Sequence, residues 1–304
     1  MPPLDLASGD LLADRRADYA EMLLGAGDLD AAAEVMLSAL ELAPGWVLGW
    51  FRLGEMRERA GVIDQAAEAW RMALNLDPAD RCGAGLKLEL IGRAPPSAAP
   101  PSPFVEALFD QNAPTFDAAL VDGLGYRVPA LIEQILTDTG RSFRRALDLG
   151  CGTGLMGARL RALTRTLEGV DLSAAMLRRA ELRAVYDRLE TADLTLFSPP
   201  AGAFDLVVAA DVLMYLGALE AVIARIAAAL AEGGLFVFSV ERHDGAEPFR
   251  LRASRRYAHS QAGLRDALEA AGLARTVIRE ETIRMDRGAP VAGLIVRAER
   301  GRAG

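Results

Sequence analysis

The sequence predicts a doubly wound α/β domain preceded by a small all-α domain. Three observations lead there. Residues 13–80 repeat a helical pattern at an offset of 34 residues. Residues 94–103, APPSAAPPSP, interrupt the chain with five prolines. Residues 143–173 then read as strand, glycine loop, helix and second strand, the unit from which parallel sheets are built.

Composition bounds the rest. The chain has 304 residues, 51% hydrophobic and 25% charged, which is globular and too long for one average domain. Its net charge of −8 opposes a general binder of phosphate backbones, so no nucleic-acid partner is expected. Two cysteines, Cys82 and Cys151, make neither a disulfide framework nor a cysteine zinc site, and no metal is expected. The opening MPPLDLASGD lacks the basic and apolar stretches of a secretory signal. No apolar run reaches the roughly 18 residues of a membrane span. The expectation is a cytoplasmic protein without a membrane span.

In chain order, the helical repeat comes first. Gly27 recurs as Gly61, Ala32 as Ala66, Ala39 as Ala73 and Pro44 as Pro78, and a bulky residue, Met36 then Trp70, holds one place in both copies. Alanines at those places let paired helices approach closely. The glycines suit turns and the prolines stop helices. This pattern resembles the tetratricopeptide repeat, with copies at about 13–46 and 47–80 and a capping helix over 80–92. The all-α domain is therefore expected over residues 1–93. The repeats are a possible protein-interaction surface, and equally an intramolecular cap or dimer surface. Residues 94–103 are expected as a semi-extended linker, because proline fixes φ and lacks an amide donor. Charge also splits there: 9 basic against 16 acidic side chains before residue 94, and 25 against 26 after it.

The second domain, 104–304, opens with a segment, 104–142, carrying Phe104, Phe109, Phe116 and Tyr126 at helical intervals. FRRALDL, residues 143–149, is a buried strand. It breaks into DLGCGTGLMG, residues 148–157, and TLEGVDLS, residues 166–173, is the next strand, with Asp171 lying 21 residues after Gly150. Glycines there let a ligand approach the backbone, and the acid suits ribose hydroxyls. Gly152-x-Gly154-x-x-Gly157 formally matches a dinucleotide fingerprint. A nicotinamide cofactor nevertheless fits poorly, since Asp148 would repel a pyrophosphate and suits a ligand bearing an ammonium group.

The strings LDLGCGTGLMG and VDLSAAML resemble the first two motifs of class I S-adenosylmethionine-dependent methyltransferases, over residues 104–298. FVEALFDQNAPTFDAALVDGLGYRVP and RYAHS are similar to a group of predicted bacterial methyltransferases that carry tetratricopeptide repeats. The resemblance implies a seven-stranded Rossmann-like sheet whose last strand inserts antiparallel. It further implies S-adenosylmethionine as cofactor, S-adenosylhomocysteine as product, and a small-molecule or protein methyl acceptor. YDRLETADL then carries the third strand, FDLVVAADVLMYLG the fourth running into a helix, AALAEGGLFVFSVE the fifth, and TVIREETIR and VAGLIVRAE the last two, joined through Gly288 and Pro290.

The resemblance assigns cofactor contacts to Asp148, Gly150, Cys151, Gly152, Thr153, Gly154, Asp171, Leu172, Met176, Asp193 and Ala210. Asp148 would meet the amino group, directly or through water, and Asp171 the ribose hydroxyls. Cys151 would present its backbone amide rather than its thiol. Met176 could face the adenine or fill the core, and Asp193 could lie near the adenine or cap a turn. Asp211 could cap a helix, and Tyr215 could face the site or the core. The only histidines, His243 and His259, fall after the fifth strand, where the chain crosses the site's mouth. His259, Tyr257 and Tyr126 are the candidate bases or substrate contacts should the acceptor be a hydroxyl. The rival readings are a cofactor-binding scaffold or sensor without turnover, and a nicotinamide-dependent oxidoreductase.

Overall fold

The structure, a computed structural model, describes residues 7–301. Most of the MPPLDLASGD string on which the signal reading rests lies outside the described residues. The chain divides into two compact units, Met1–Ala107 and Leu108–Gly304. Among the described residues, no helix is long and apolar enough to cross a membrane.

The first unit is a succession of helices, each packed on the next: α1 Leu11–Ala26, α2 Leu29–Leu42, α3 Val47–Arg59, α4 Ile63–Leu76 and the short α5 Ala84–Leu90. Asp10 caps α1 by accepting the amides of Leu12 and Ala13, and Asp28 caps α2 by accepting that of Ala31. Gly27 ends α1 with a left-handed φ of 86°, and Gly61 repeats it with 77° in the next inter-helix turn. The repeat's small positions, Ala32, Ala39, Ala66 and Ala73, are all buried, as are Met36 and Trp70. Trp70 seats its indole against α3, donating to the Phe51 carbonyl at 3.2 Å. That seat exists because residue 54 is glycine: a Cβ there would lie 2.3 Å from the indole nitrogen. The proline-rich residues 94–103 lie at the end of this unit. Helix α6, Ser102–Asn112, begins inside them, with Pro103 in its first turn, where the missing amide costs no helical bond.

In the second unit, α6 gives way to a π-helical turn, Ala118–Gly123, and α7, Val128–Asp138. The strands are β1 Phe143–Leu149, β2 Thr164–Asp171, β3 Arg188–Thr191, β4 Phe204–Ala209, β5 Leu230–Arg242, β6 Phe249–Leu251, β7 Tyr257–His259, β8 Leu273–Asp286 and β9 Ala289–Arg300. Helices α8 (Leu155–Leu160), α9 (Ala174–Leu182), α10 (Glu220–Ala229) and α11 (Gln261–Ala270) lie between them. Strands β3, β2, β1, β4 and β5 pair in that order, all parallel. Strand β9 then pairs antiparallel with both β5 and β8. Seven of the strands thus pair as β3-β2-β1-β4-β5-β9-β8, with the last strand in sequence inserted antiparallel as expected. The apolar runs of β4 and β5 are buried throughout their centres, as strands covered on both faces require.

The sheet has two strands beyond the expected seven. Glu241 of β5 faces Gly293 of β9 on one side and Ala258 of β7 on the other. The hairpin β6–β7 therefore continues β5's ladder past the carboxyl end of β4. The β8–β9 turn is Arg287-Gly288, both left-handed, while Pro290 sits within β9 opposite Met285 rather than in the turn.

Strand β8 is irregular. Its pairing with β9 skips Ile283, so Ile283 and Arg284 are successive buried side chains where strict alternation would bury one of them. Residues 124–127 dock on this bulge through the backbone: Arg127 donates to the Ile283 carbonyl at 3.0 Å and Met285 to the Leu124 carbonyl at 2.7 Å.

Replacing Gly54 with alanine should push a methyl group into the Trp70 indole, which is fully buried and hydrogen-bonded. We expect a loss of about 1–3 kcal/mol, read as a lower melting temperature of the first unit in a thermal scan of the whole chain. An unshifted transition would mean that the indole has another seat.

Candidate active site

Residues with chemistry gather at the carboxyl ends of β1, β2, β4 and β5, where parallel sheets bind ligands. The glycine loop leaves β1 with three left-handed residues, Gly150 (φ 63°), Gly152 (54°) and Gly154 (88°). A Cβ on Gly150 would lie 2.3 Å from Val212, whereas one on Gly152 would meet nothing within 4 Å. Gly152 therefore opens onto free space, and its conformation rather than its packing calls for glycine. Asp171, at the tip of β2, ties the loop down: one carboxylate oxygen accepts the Gly152 amide and the other the Ser173 amide, each at 2.8 Å. Two strand-end loops become one cradle. The expectation for Cys151 is corrected here. Its amide donates to the Val170 carbonyl at 3.0 Å, and burial pushes its thiol well above the ordinary range.

Asp148 lies under this cradle, fully buried. One of its oxygens accepts the Tyr186 hydroxyl at 2.7 Å and the other has no partner. Burial raises its carboxyl to about 7, against the hydrogen bond from Tyr186. Sequence reasoning missed Tyr186. Its ring fills the space left by Gly157, where a Cβ would lie 2.2 Å away, so the helix glycine was the available signal.

The segment before β1 closes over the loop. Asp110 accepts the Ser173 hydroxyl, and Asp117 accepts both the Thr153 hydroxyl and the Arg183 guanidinium, whose Nε also donates to the Thr153 carbonyl at 2.7 Å. Phe109 meets Phe116 and Tyr215 edge-on, at 6.0 and 5.2 Å between ring centres. Tyr215 itself is buried. Tyr126, half-buried between the two backbone bonds to β8, has a hydroxyl held well above the ordinary range. Burial is the main cause, with Asp211 and Asp148 adding to it.

A second polar group stands beyond β4, and nothing in the local sequence announced it. Asp211 has a left-handed φ of 58° and donates its amide to the buried Ser239 hydroxyl at 2.8 Å. It does not cap the following helical turn, Leu213–Tyr215, whose cap position is Val212 with no side-chain bond. Its carboxylate receives Nη1 of Arg284 at 3.1 and 3.3 Å. Arg284, 2% exposed, also donates to Glu241. Burial raises the Asp211 carboxyl, opposed first by Arg284 and then by Arg256. Arg256 donates Nε to the Tyr215 hydroxyl at 3.1 Å and lies over that ring.

Several expected residues fall elsewhere. Tyr257 is fully buried in β7, its ring against Phe249. His259 is 2% exposed, with Nε2 3.0 Å from the Gly217 carbonyl, and burial lowers its pKa to about 4. A neutral ring that donates Nε2–H to a carbonyl holds a strand end, and it does not reach the site's mouth. His243 accepts the Gly245 amide at 2.9 Å and is likewise buried. Met176 is fully buried. Asp193 receives the Thr195 amide and hydroxyl at 2.8 and 2.6 Å in the turn after β3. Leu172 and Ala210 are half-buried at the ends of β2 and β4, beside the cradle. Among the described residues, no group of acids, histidines and cysteines could hold a metal ion.

A parallel sheet with a glycine cradle and a strand-tip acid defines a nucleoside-binding α/β domain. The methyltransferase-domain family model matches residues 122–277, and the chain belongs to that family. It is 36% identical over 151 residues to trans-aconitate 2-methyltransferase of Paracidovorax citrulli, covering 48% of this chain and 56% of that protein. It is 27% identical over 162 residues to ubiquinone biosynthesis O-methyltransferase of Ralstonia nicotianae, covering 49% and 68%. The chain spans about half the length of the curated relatives it matches. Among solved structures, the fold is similar to that of the (4+2)-cyclase SpnF (TM-score 0.53, 18% identity, 66% of this chain and 96% of that one). It is also similar to that of DhpI in its complex with SAH (0.50, 22%, 65% and 95%).

The raised carboxyl of Asp148 fixes a sign. The protonated form is favoured by folding, so its contribution to stability is complete below the unfolded pKa near 4 and is lost as pH rises through about 7. Asp148→Asn keeps an acceptor for Tyr186 and cannot ionise. In the ligand-free protein it should therefore flatten the fall in melting temperature between about pH 4 and 7. An unaltered pH profile would place that titration on another group.

Proposed function

We propose that the chain binds S-adenosylmethionine and transfers its methyl group to a small-molecule or protein acceptor. The single observation that carries the reading is the unpartnered buried oxygen of Asp148 under an open glycine cradle. A buried acid with an unused acceptor site suits an ammonium group, which would hold the carboxylate ionised and complete its bonding. The family match to residues 122–277 supports it.

In this reading, Asp148 receives the amino group of the methionine moiety. Asp171 keeps its two amide bonds and offers its remaining lone pairs to the ribose hydroxyls. Gly150, Gly152, Thr153 and Gly154 line the backbone side, Leu172 and Ala210 flank it, and Asp193 stands near the adenine. The cofactor supplies a methyl group on a sulfonium centre, already a strong electrophile. What remains for the chain is to align an acceptor and exclude water. Phe109, Phe116 and Tyr215 offer an apolar cover, and Tyr126, between the backbone bonds that Leu124 and Arg127 make to β8, stands at the acceptor side as the lid aromatic.

The first unit is read as two tetratricopeptide repeats, and the organisation as 1–93, a linker over 94–103, and 104–304. The repeats would serve a protein partner or a cap, and the chain would work in the cytoplasm of a bacterium. A second reading, a cofactor-binding scaffold without turnover, is favoured by one observation: His259 and Tyr257, the expected bases, are buried away from the mouth. The likeness to a cyclase of the same fold is a reminder that fold alone does not set the reaction.

Two measurements test this. Asp171→Ala should weaken S-adenosylhomocysteine binding by about tenfold or more in calorimetry, since hydrogen bonds to a charged group are each worth about 1.5–3 kcal/mol. Unchanged affinity would remove the ribose assignment. Residues 104–304 alone should bind S-adenosylhomocysteine within a few-fold of the whole chain, and a folded fragment that cannot bind would assign part of the site to the first unit.

A further inference from the structure

The acceptor can be narrowed by asking which proton chemistry the site can perform; the argument rests on the methyl-transfer reading above. A neutral hydroxyl acceptor needs a base at the reacting oxygen. His259 donates to the Gly217 carbonyl and is buried, and Tyr257 is fully buried. The Tyr126 hydroxyl is held far above neutrality, so it does not ionise to become a base. Asp211 receives Arg284 on both carboxylate oxygens, so its lone pairs are already engaged by a guanidinium. An ammonium acceptor would face guanidinium groups. An acceptor that is already an anion requires no base.

The cation suited to such an anion is Arg256. It immediately precedes β7, in the hairpin that extends the sheet past β4. Its Nε is used by Tyr215, and its Nη1 makes only a 3.8 Å approach to Glu241, which Arg284 already holds. Among the described residues Nη2 has no partner, and the side chain is 27% exposed. The ring of Tyr215 beneath the guanidinium fixes its plane. The surrounding hairpin agrees in sign: residues 249–259 carry Arg250, Arg252, Arg255 and Arg256 and no acid, in a chain of net charge −8. Of these, Arg250 is paired with Glu247, and Arg252 and Arg255 add positive charge beside Arg256.

We propose that the acceptor is a carboxylic acid, held as its carboxylate by Arg256, and that the product is its methyl ester. A carboxylate oxygen forms the new O–CH3 bond with its own lone pair as the methyl–sulfur bond breaks, and the leaving pair stays on sulfur. A negative acceptor and a positive sulfonium become a neutral ester and a neutral thioether, with no proton transferred. Arg256 orients the carboxylate and releases the neutral ester, because the charge that held it has gone.

The test uses the full chain. A low-molecular-weight bacterial extract is split by anion exchange into acidic and neutral-basic fractions, and each is incubated with methyl-labelled S-adenosylmethionine. Label should enter the acidic fraction as a product that alkali converts to methanol. Arg256→Gln should raise KM for that fraction by about ten- to hundred-fold, with Arg256→Lys intermediate and S-adenosylhomocysteine affinity unchanged in both. Independently of any variant, calorimetry on the wild-type complex with S-adenosylhomocysteine should detect binding of benzoate or succinate and none of the matching primary amides. Alkali-stable label, label confined to the neutral-basic fraction, equal binding of acids and amides, or an Arg256→Gln protein with wild-type KM would each overturn the proposal. S-adenosylhomocysteine binding without label in either fraction would also overturn it and favour the scaffold. Failure of the wild type to bind S-adenosylhomocysteine at all would instead remove the methyl-transfer reading.

Discussion

Four carboxylates, those of Asp148, Asp171, Asp211 and Glu241, are crowded onto one rim of the sheet, and each must find donors or remain protonated. Burying an unmatched charge costs several kcal/mol, so the way each acid is satisfied dictates the local architecture. Asp171 is met by two backbone amides, which joins the loops after β1 and β2. Asp211 and Glu241 share Arg284, which brings a residue of β8 to the ends of β4 and β5. Asp148 has only Tyr186, and that deficit is what the proposed ammonium contact would fill.

The segment ahead of β1 obeys the same accounting. Its acids Asp110 and Asp117 seek donors on the loops they cover, Ser173, Thr153 and Arg183. Its far end is held by main-chain bonds to Ile283 and Met285. Cover and cradle are therefore linked through side chains of the glycine motif itself.

How much of this could be read from sequence follows from distance along the chain. The β1–loop–β2 unit was legible because a strand, three glycines and an acid 21 residues later are bound by local geometry. The 34-residue offset of the helices was legible for the same reason. The Asp211–Arg284–Glu241 group was not: its members are 30 to 73 residues apart in sequence, and Arg284 turns inward only because a bulge at Ile283 breaks the alternation that a sequence reading assumes. His259 and Tyr257 misled for a related reason. The segment that crosses the mouth is a hairpin paired to β5, and pairing buries what an open loop would have exposed.

The bulged strand β8 also bears on self-association. It closes one end of the sheet, it is 14 residues long, and an uncovered strand of that length is a template on which another chain could pair. Two register breaks twist it, residues 124–127 occupy part of its free ladder, and Arg275, Arg279, Glu280 and Glu281 stud the remainder with charge. The irregularity that delivers Arg284 to the ends of β4 and β5 thus also blunts the edge on which another chain could pair.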